Sequence, residues 1–442
     1  MHLSKTSLGA RQQDAVTRLY NYDETILVMA TGDGKTVICL TAIKELIDEG
    51  VVGRVIVACP ARVVKHWAAE QAKWDHLAGL DVVPLIGTTK QRSAVMETRR
   101  SAAHVWVISL NSLDWLLKTD HGADGVNIDE LSKAAGKQAK GLRTKRLGGC
   151  FNWRVGMTAT PVSQDFLKLY SMCRIIDRGA ALGTNKRAYE EAYFDSDYMG
   201  YTLTLRAHAD KIILSRIKGL VFAVEDKKAD VLPPLKKHER RFDMPTGSRG
   251  TYDQMKKDMV VEDESIEAAN AAVQSGKLRQ IASGFIYNED GVARHLDTAR
   301  LTEAMRWVRD LDGASGVIFF EFIEQGAELN KAMPETSTFQ IDVFIHVGGK
   351  GKILLAQAQS LSHGVDGLQY VCSNVLFYQP VWSRDTTEQA VGRVWRTGQD
   401  SEVNVTTLVC DDTLDDAVVA RVEGRGEWMR LFMRHLQSGA AA

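Results

Sequence analysis

An excess of charge of either sign is missing from this 442-residue sequence: 55 lysines and arginines stand against 56 aspartates and glutamates, a net charge of −1. No global basic field draws nucleic acid to the chain, so any such binding has to come from a local groove of Lys and Arg. Cysteine is sparse. The six present (Cys39, Cys59, Cys150, Cys173, Cys372 and Cys410) are far apart, with no C-x-x-C pair and no histidine cluster beside them. That spacing argues against a zinc site or a disulfide framework and fits reduced, mostly buried thiols of a cytoplasmic protein. No apolar run is long enough to span a bilayer and the N-terminus lacks the apolar core of a signal peptide, so no membrane association is expected. Short-period repeats are absent too, and the low-complexity content is confined to the tail SGAAA at 438–442. What remains, 45% hydrophobic and 25% charged residues, is the composition of a globular protein, and the length suggests two or three domains.

The sequence is organised around MATGDGKT at 29–36. The apolar run 26–28 before it reads as a buried strand and the run 37–43 after it as a helix. Gly32 and Gly34 let the backbone turn tightly, so that the N–H groups of Thr31, Gly32, Asp33 and Gly34 and the helix N-terminus face an anion. Lys35 then reaches the β- and γ-phosphates of a nucleotide, and the Thr36 hydroxyl is set to ligate Mg²⁺. Met29 stands where the full phosphate-loop pattern has glycine. Upstream, Gln12 lies on a helical pattern with Leu8, Ala15, Val16 and Leu19. It is either a surface residue or, facing the nucleotide, a reader of the adenine edge.

Further strands are expected over 52–58, 81–86 and 105–109, alternating with helices, which argues for a parallel sheet covered on both faces. Arg62 and Lys65 follow the first of these where strand becomes helix, a place for phosphate contacts as well as for solvated charge. Trp67 and Trp74, at helical spacing, are expected in the core. The strand 125–129 ends in Asp129 and Glu130. At the end of a sheet strand beside a phosphate loop, Asp129 can hold Mg²⁺ and Glu130 can polarise the attacking water. After the break LPPL at 232–235, the charged cluster KKHERR (236–241) is expected to mark a lobe boundary, and 250–276 reads as one long polar helix. In the second half, strands are expected over 316–320, 352–356 and 403–409 without a phosphate loop. Arg393 and Arg396 are three apart, on one face if helical, and guanidinium groups at that spacing can stabilise a γ-phosphate in transfer.

Gln12, the MATGDGKT loop, Cys59 and Pro60 with Trp67 and Glu70, Ser109 to Asn111, Asp129 with Glu130, and TATP at 158–161 follow the order and spacing of helicase motifs Q, I, Ia, Ib, II and III. They resemble the Swi/Snf-type branch of the superfamily-two ATPases, especially its compact phage-encoded members. In the second half 316–320 resembles motif IV, the stretch from Ser360 through Gly364 and Asp366 to Gln369 resembles motif V, and QAVGRVWRTGQ at 389–399 resembles motif VI. The variant DELS at 129–132 lacks the usual histidine, so coupling to motif VI would run through Ser132 or another group.

The resemblance implies an α/β fold of two tandem RecA-like lobes, residues 1–235 and 236–442, with one ATP in the cleft between them. It implies that Gln12, Thr31, Gly32, Asp33, Gly34, Lys35, Thr36, Gly364, Asp366 and Gln389 bind nucleotide, and that Thr36 and Asp129 hold Mg²⁺. Lys35, Glu130, Arg393 and Arg396 would carry the hydrolysis, and Arg62, Lys65, Asn111 and Ser360 would contact nucleic acid. The activity implied is translocation on double-stranded DNA in the cytoplasm of a bacterial or phage-infected cell, with a protein partner for targeting. An RNA or single-strand helicase, and a nucleotide-gated scaffold without turnover, are the alternatives.

Overall fold

The central strands of the two sheets form where four or more consecutive residues are mostly apolar and buried, the pattern of a sheet covered on either side. The computed structural model describes residues 3–135, 140–143, 149–159, 166–196, 203–224, 232–258, 267–358 and 367–421. The chain divides into two compact units, one within Met1–Asp226 and one within Lys227–Gly426. The six cysteines are free, and Cys150 alone among them is exposed. No helix among the described residues is long and apolar enough to cross a membrane.

The first unit contains β1 (Glu24–Val28), β2 (Val55–Cys59), β3 (Val82–Leu85), β4 (Val105–Ser109), β5 (Gly125–Asp129), β6 (Trp153–Thr158), β7 (Phe194–Ser196), β8 (Leu203–Leu205) and β9 (Val221–Ala223). Seven of them make one parallel sheet in the order β3-β4-β2-β5-β6-β1-β9, and β7 pairs with β8 as a separate antiparallel hairpin. Alternate residues of β1 enter different cores. Ile26 and Val28 pack with Ile56, Ile108 and Ile128, while Leu27 packs with Ile38, Val57 and Trp67 under the helix Lys35–Asp48. The register sets Val28 opposite Thr158 and Asp129 opposite Met157, which brings the carboxyl ends of β1, β6 and β5 to one level.

The second unit contains β10 (Leu235–Phe242), β11 (Phe285–Tyr287), β12 (Ala293–His295), β13 (Gly316–Phe320), β14 (Ser337–Thr338), β15 (Ile353–Gln357), β16 (Asn374–Phe377) and β17 (Val403–Cys410). Its six-stranded parallel sheet runs β10-β17-β16-β13-β15-β14, and β11 with β12 forms an antiparallel hairpin. Doubly covered parallel sheets are therefore present in both units, as the alternation of strands and helices implies.

The cluster 236–241 forms the body of β10, paired along its whole length with β17. A strand at a sheet edge tolerates charge, and here the charges have partners: Lys236 with Glu402 at 2.8 Å and Arg241 with Asp416 at 2.7 Å. Over 250–276, the helices described are Thr246–Asp258 and Glu267–Ala282, and the interval 259–266 lies outside the described residues.

The second unit closes on a buried ion pair. Arg300 donates to Asp415 and to the carbonyls of Ala282 (3.0 Å), Tyr378 (2.8 Å) and Leu408 (3.2 Å), and both charged side chains are 1% exposed. Asp415→Ala leaves a buried guanidinium without its counter-charge, and the expected cost is about 3–5 kcal/mol. Urea unfolding of this unit measures it; a loss below about 1 kcal/mol would mean the carbonyls alone satisfy the charge.

Candidate nucleotide and nucleic-acid sites

The loop after β1 is shaped by two glycines that no other residue replaces without strain. Gly32 has φ +87° and Gly34, the N-cap of the helix Lys35–Asp48, has φ +82°. A Cβ on Gly34 would also lie 2.5 Å from Nε2 of Gln12. Met29 needs no glycine in its place because it prolongs the strand: its N–H donates to Thr158 at 3.1 Å and its side chain is buried beside Leu27. Lys35 Nζ donates to the carbonyls of Met29 (2.9 Å) and Ala30 (3.0 Å), which closes the loop on itself. The first-turn N–H groups of this 14-residue helix have no intrahelical acceptors, so the turn has the geometry to accept an anion. Gln12 supports it from the helix Ala10–Asn21. Its Nε2 donates to the Asp33 carbonyl at 3.0 Å and its Oε1 accepts from Gly9 N at 2.9 Å, so here the amide buttresses the loop.

Opposite stands the carboxylate pair. Asp129 is the last residue of β5 and is buried; Glu130 follows in the left-handed region at φ +58°, ψ +52°, and caps the short helix Leu131–Ala134. A glutamate held there stores about 1 kcal/mol or more of backbone strain. Burial, and next the charge of Glu130, push the Asp129 carboxyl up to about 7, and Lys35 acts in the opposite direction. That effect of Lys35 on Asp129 ties the phosphate loop electrostatically to the end of β5. A hydroxyl on Thr36 and a carboxylate on Asp129 are hard oxygen donors, and with Lys35 to balance charge they fit Mg²⁺ presented with phosphate oxygens.

The raised acidity constant has a signed consequence. Folding favours the protonated form of Asp129, so its contribution to stability is full below about pH 4 and is lost as pH rises through about 7. In nucleotide-free protein Asp129→Asn is expected to raise the melting temperature by several degrees at pH 8 and by much less at pH 5. Equal shifts at the two pH values would mean that Asp129 titrates normally.

At the ends of β2, β4 and β5 a cavity of about 750 Å³ is lined by Asn111, Ser132, Lys133, Lys168, Ser171 and Lys186, among others. Ser132 is 3% exposed and its hydroxyl has no hydrogen bond among the described residues. Arg62 and Lys65 lie exposed beside Pro60 and Ala61, which also line this cavity. Sequence reasoning singled out Asn111, Arg62 and Lys65 but not Lys168 or Lys186, since those two lie on later helices with no motif around them.

In the second unit, the helix Arg384–Val391 is N-capped by Ser383, whose hydroxyl accepts from Thr386 N at 3.2 Å, and it carries Gln389, buried. It stops before the arginines. Arg393 and Arg396 lie on successive turns and not on one helical face, because the chain is pulled aside at three points. Trp395 Nε1 donates to Pro233 at 2.8 Å, Gly398 adopts φ +94° against the ring of Tyr370, and Gln399 Nε2 donates to Cys372 at 2.9 Å. Ser360, Gly364 and Asp366, and likewise Thr160 and Pro161, lie outside the described residues.

Residues 12–284 match the SNF2-related domain. Protein p41 of Acyrthosiphon pisum secondary endosymbiont phage 1 is 25% identical over 425 residues, covering 88% of this chain and 90% of p41. The DNA repair and recombination protein RAD54-like of Drosophila yakuba is 22% identical over 474 residues, covering 91% of this chain and 59% of that longer protein. Among solved structures, the Sulfolobus solfataricus SWI2/SNF2 ATPase core in complex with dsDNA is similar with a TM-score of 0.44 and 16% identity, over 99% of this chain and 94% of that one.

Proposed function

Because this chain belongs to the SNF2-related family, whose members are nucleic-acid-dependent ATPases, we propose that it hydrolyses ATP to move along double-stranded DNA. The observation that carries this reading is the glycine-shaped anion cradle whose lysine acts on the buried carboxylate at the end of β5. Backbone N–H groups of residues 31–34 take the β- and γ-phosphates, and Lys35 exchanges the carbonyls of Met29 and Ala30 for phosphate oxygens. Gln12 holds the loop in shape for this. Glu130 accepts the proton of the water that attacks the γ-phosphorus, and the bond to the β-phosphate oxygen breaks to release ADP and phosphate. Mg²⁺, held through Thr36 and Asp129, would neutralise charge on those phosphates. Arg393 and Arg396 would stabilise the transferred phosphoryl group, with Gly364, Asp366 and Gln389 as further nucleotide contacts.

For DNA, the lysine-lined cavity at the ends of β2, β4 and β5, flanked by Arg62 and Lys65 and including Asn111, suits backbone phosphates; Ser360 is assigned to the same task by its motif. Such contacts make binding steeply salt-dependent and nearly indifferent to sequence. The relation to a DNA repair and recombination protein by sequence supports a DNA substrate, with a protein partner for targeting. An ATPase panel tests the reading: duplex DNA is expected to accelerate phosphate release more than forked DNA, single-stranded DNA or RNA. Greater stimulation by RNA or a single strand would replace the duplex motor with a helicase on that polymer. Equal rates with and without every polymer would leave a nucleotide-gated scaffold.

A further inference from the structure

A polar network at the carboxyl ends of β13, β15 and β16 is larger than the fold of the second unit requires. Glu321 follows β13 and Gln379 follows β16 by two residues; these strands are neighbours, so the two side chains meet. Gln379 Nε2 donates to Glu321 Oε2 at 2.9 Å, and Arg279 Nη1, from the helix Glu267–Ala282, donates to Glu321 Oε1 at 2.6 Å. Ser283 Oγ and Gln325 Nε2 donate to Gln379 Oε1 at 2.7 and 3.0 Å. Arg279, Ser283, Gln325 and Gln379 are at most 4% exposed, whereas the Glu321 side chain is 39% exposed. Apolar residues would fill such a space at lower cost, so what a satisfied polar network adds is geometric definition.

The geometry it defines belongs to the segment that carries the two arginines. Arg279 Nη2 donates to the Pro380 carbonyl at 2.7 Å, and its guanidinium lies over the ring of Trp382 at 5.9 Å. Arg421 lies over the same ring at 5.8 Å. The chain then enters the helix at Arg384, passes Gln389, Arg393 and Arg396, and is tied down again by Trp395 to Pro233 and Gln399 to Cys372. Arg279 and Glu321 thus hold the near end of this segment, and the last two bonds hold its far end.

We propose that Arg279 and Glu321 are positioning residues for Arg393 and Arg396: the bridge Pro380–Arg279–Glu321–Gln379 sets where the arginine-bearing turn stands when ATP is hydrolysed. This rests on the reading above, in which those arginines act on the γ-phosphate. A shift of about 1 Å in a charge-stabilising group costs about 10²-fold in rate, while leaving ground-state binding nearly untouched.

Arg279→Lys keeps the charge but cannot bridge a carboxylate and a carbonyl in the fork geometry of arginine. In that variant kcat at saturating duplex DNA is expected to fall by at least about tenfold, with the dissociation constants for a fluorescent ATP analogue and for duplex DNA within about twofold of wild type. Adding Arg279→Lys to the double variant Arg393→Ala with Arg396→Ala should cost nothing further, because Arg279 acts through those two groups. A folded Arg279→Lys with kcat within about twofold of wild type, or a further loss when Arg279→Lys is added to the variant lacking both arginines, would overturn the proposal. Should Arg279→Lys fail to fold, Glu321→Gln, at a partly solvated position, carries the same comparison with the same two outcomes. Wild-type ATPase that ignores DNA, or full activity in Arg393→Ala, removes the functional reading and this inference with it. A DNA-stimulated wild type with inactive Arg393→Ala and normal Arg279→Lys removes this inference alone.

Discussion

Lys35→Ala is expected to lower DNA-stimulated turnover by at least about 10²-fold, the scale on which a preorganised charge aimed at a transferring group acts. In the wild type the Lys35 ammonium holds the carbonyls of Met29 and Ala30 at 2.9 and 3.0 Å. Its removal strips the cradle of its positive charge. It also leaves Asp129, raised by burial and by Glu130, without the cation that opposes them. On the proposed reading, phosphate binding and the ionised state of the carboxylate assigned to Mg²⁺ would therefore fail together. The helix Lys35–Asp48 is anchored by eight buried residues, from Val37 to Leu46, so the variant should fold. Phosphate release at saturating duplex DNA, with circular dichroism as the control for folding, measures the effect. Turnover within about threefold of wild type would take the nucleotide site away from this loop.

Glu130→Gln is expected to separate binding from chemistry, since Glu130 is the proposed general base. Removal of a general base costs about 10²–10⁴-fold in rate. The amide is isosteric, and glutamine meets the same left-handed backbone at φ +58° that glutamate does, so stability is expected to change little. ATP affinity should stay within about twofold or rise, since a negative charge beside the phosphates is gone. Glu130→Gly makes the complementary point: it relieves the backbone strain, should be at least as stable as wild type, and should be equally inactive. Steady-state phosphate release paired with equilibrium nucleotide binding reads both properties. Normal turnover in Glu130→Gln would remove this side chain from the role of base.

The parts of this protein that were legible in the sequence are those made within one short stretch. Strand, glycine turn and helix around residues 24–48 follow from apolar runs and from two positions that require positive φ. The parallel sheets follow from alternation of buried strands with helices, and Trp67 and Trp74 are buried as their helical spacing implies. The edge strand β10 was illegible for a physical reason: half its ladder faces solvent, so charge carries no penalty there and its residues read only as a charged cluster at a lobe boundary. Whether the arginine segment is helical was left open by its sequence, because the bonds that bend it come from Pro233 and Cys372, far away in the chain.

Sequence alone determined the chemistry on offer, namely a phosphate loop, a carboxylate pair and two arginines in a fixed order, because glycine conformation and hydrophobic period are properties of neighbouring residues. Only the tertiary structure decided how those groups are tuned. The raised carboxyl of Asp129 needs a fully buried strand end, the Gln12 buttress spans 21 residues, and the support of Pro380 by Arg279 spans 101. Burial and long-range hydrogen bonds depend on which distant segments the two cores bring together, and no local pattern encodes that.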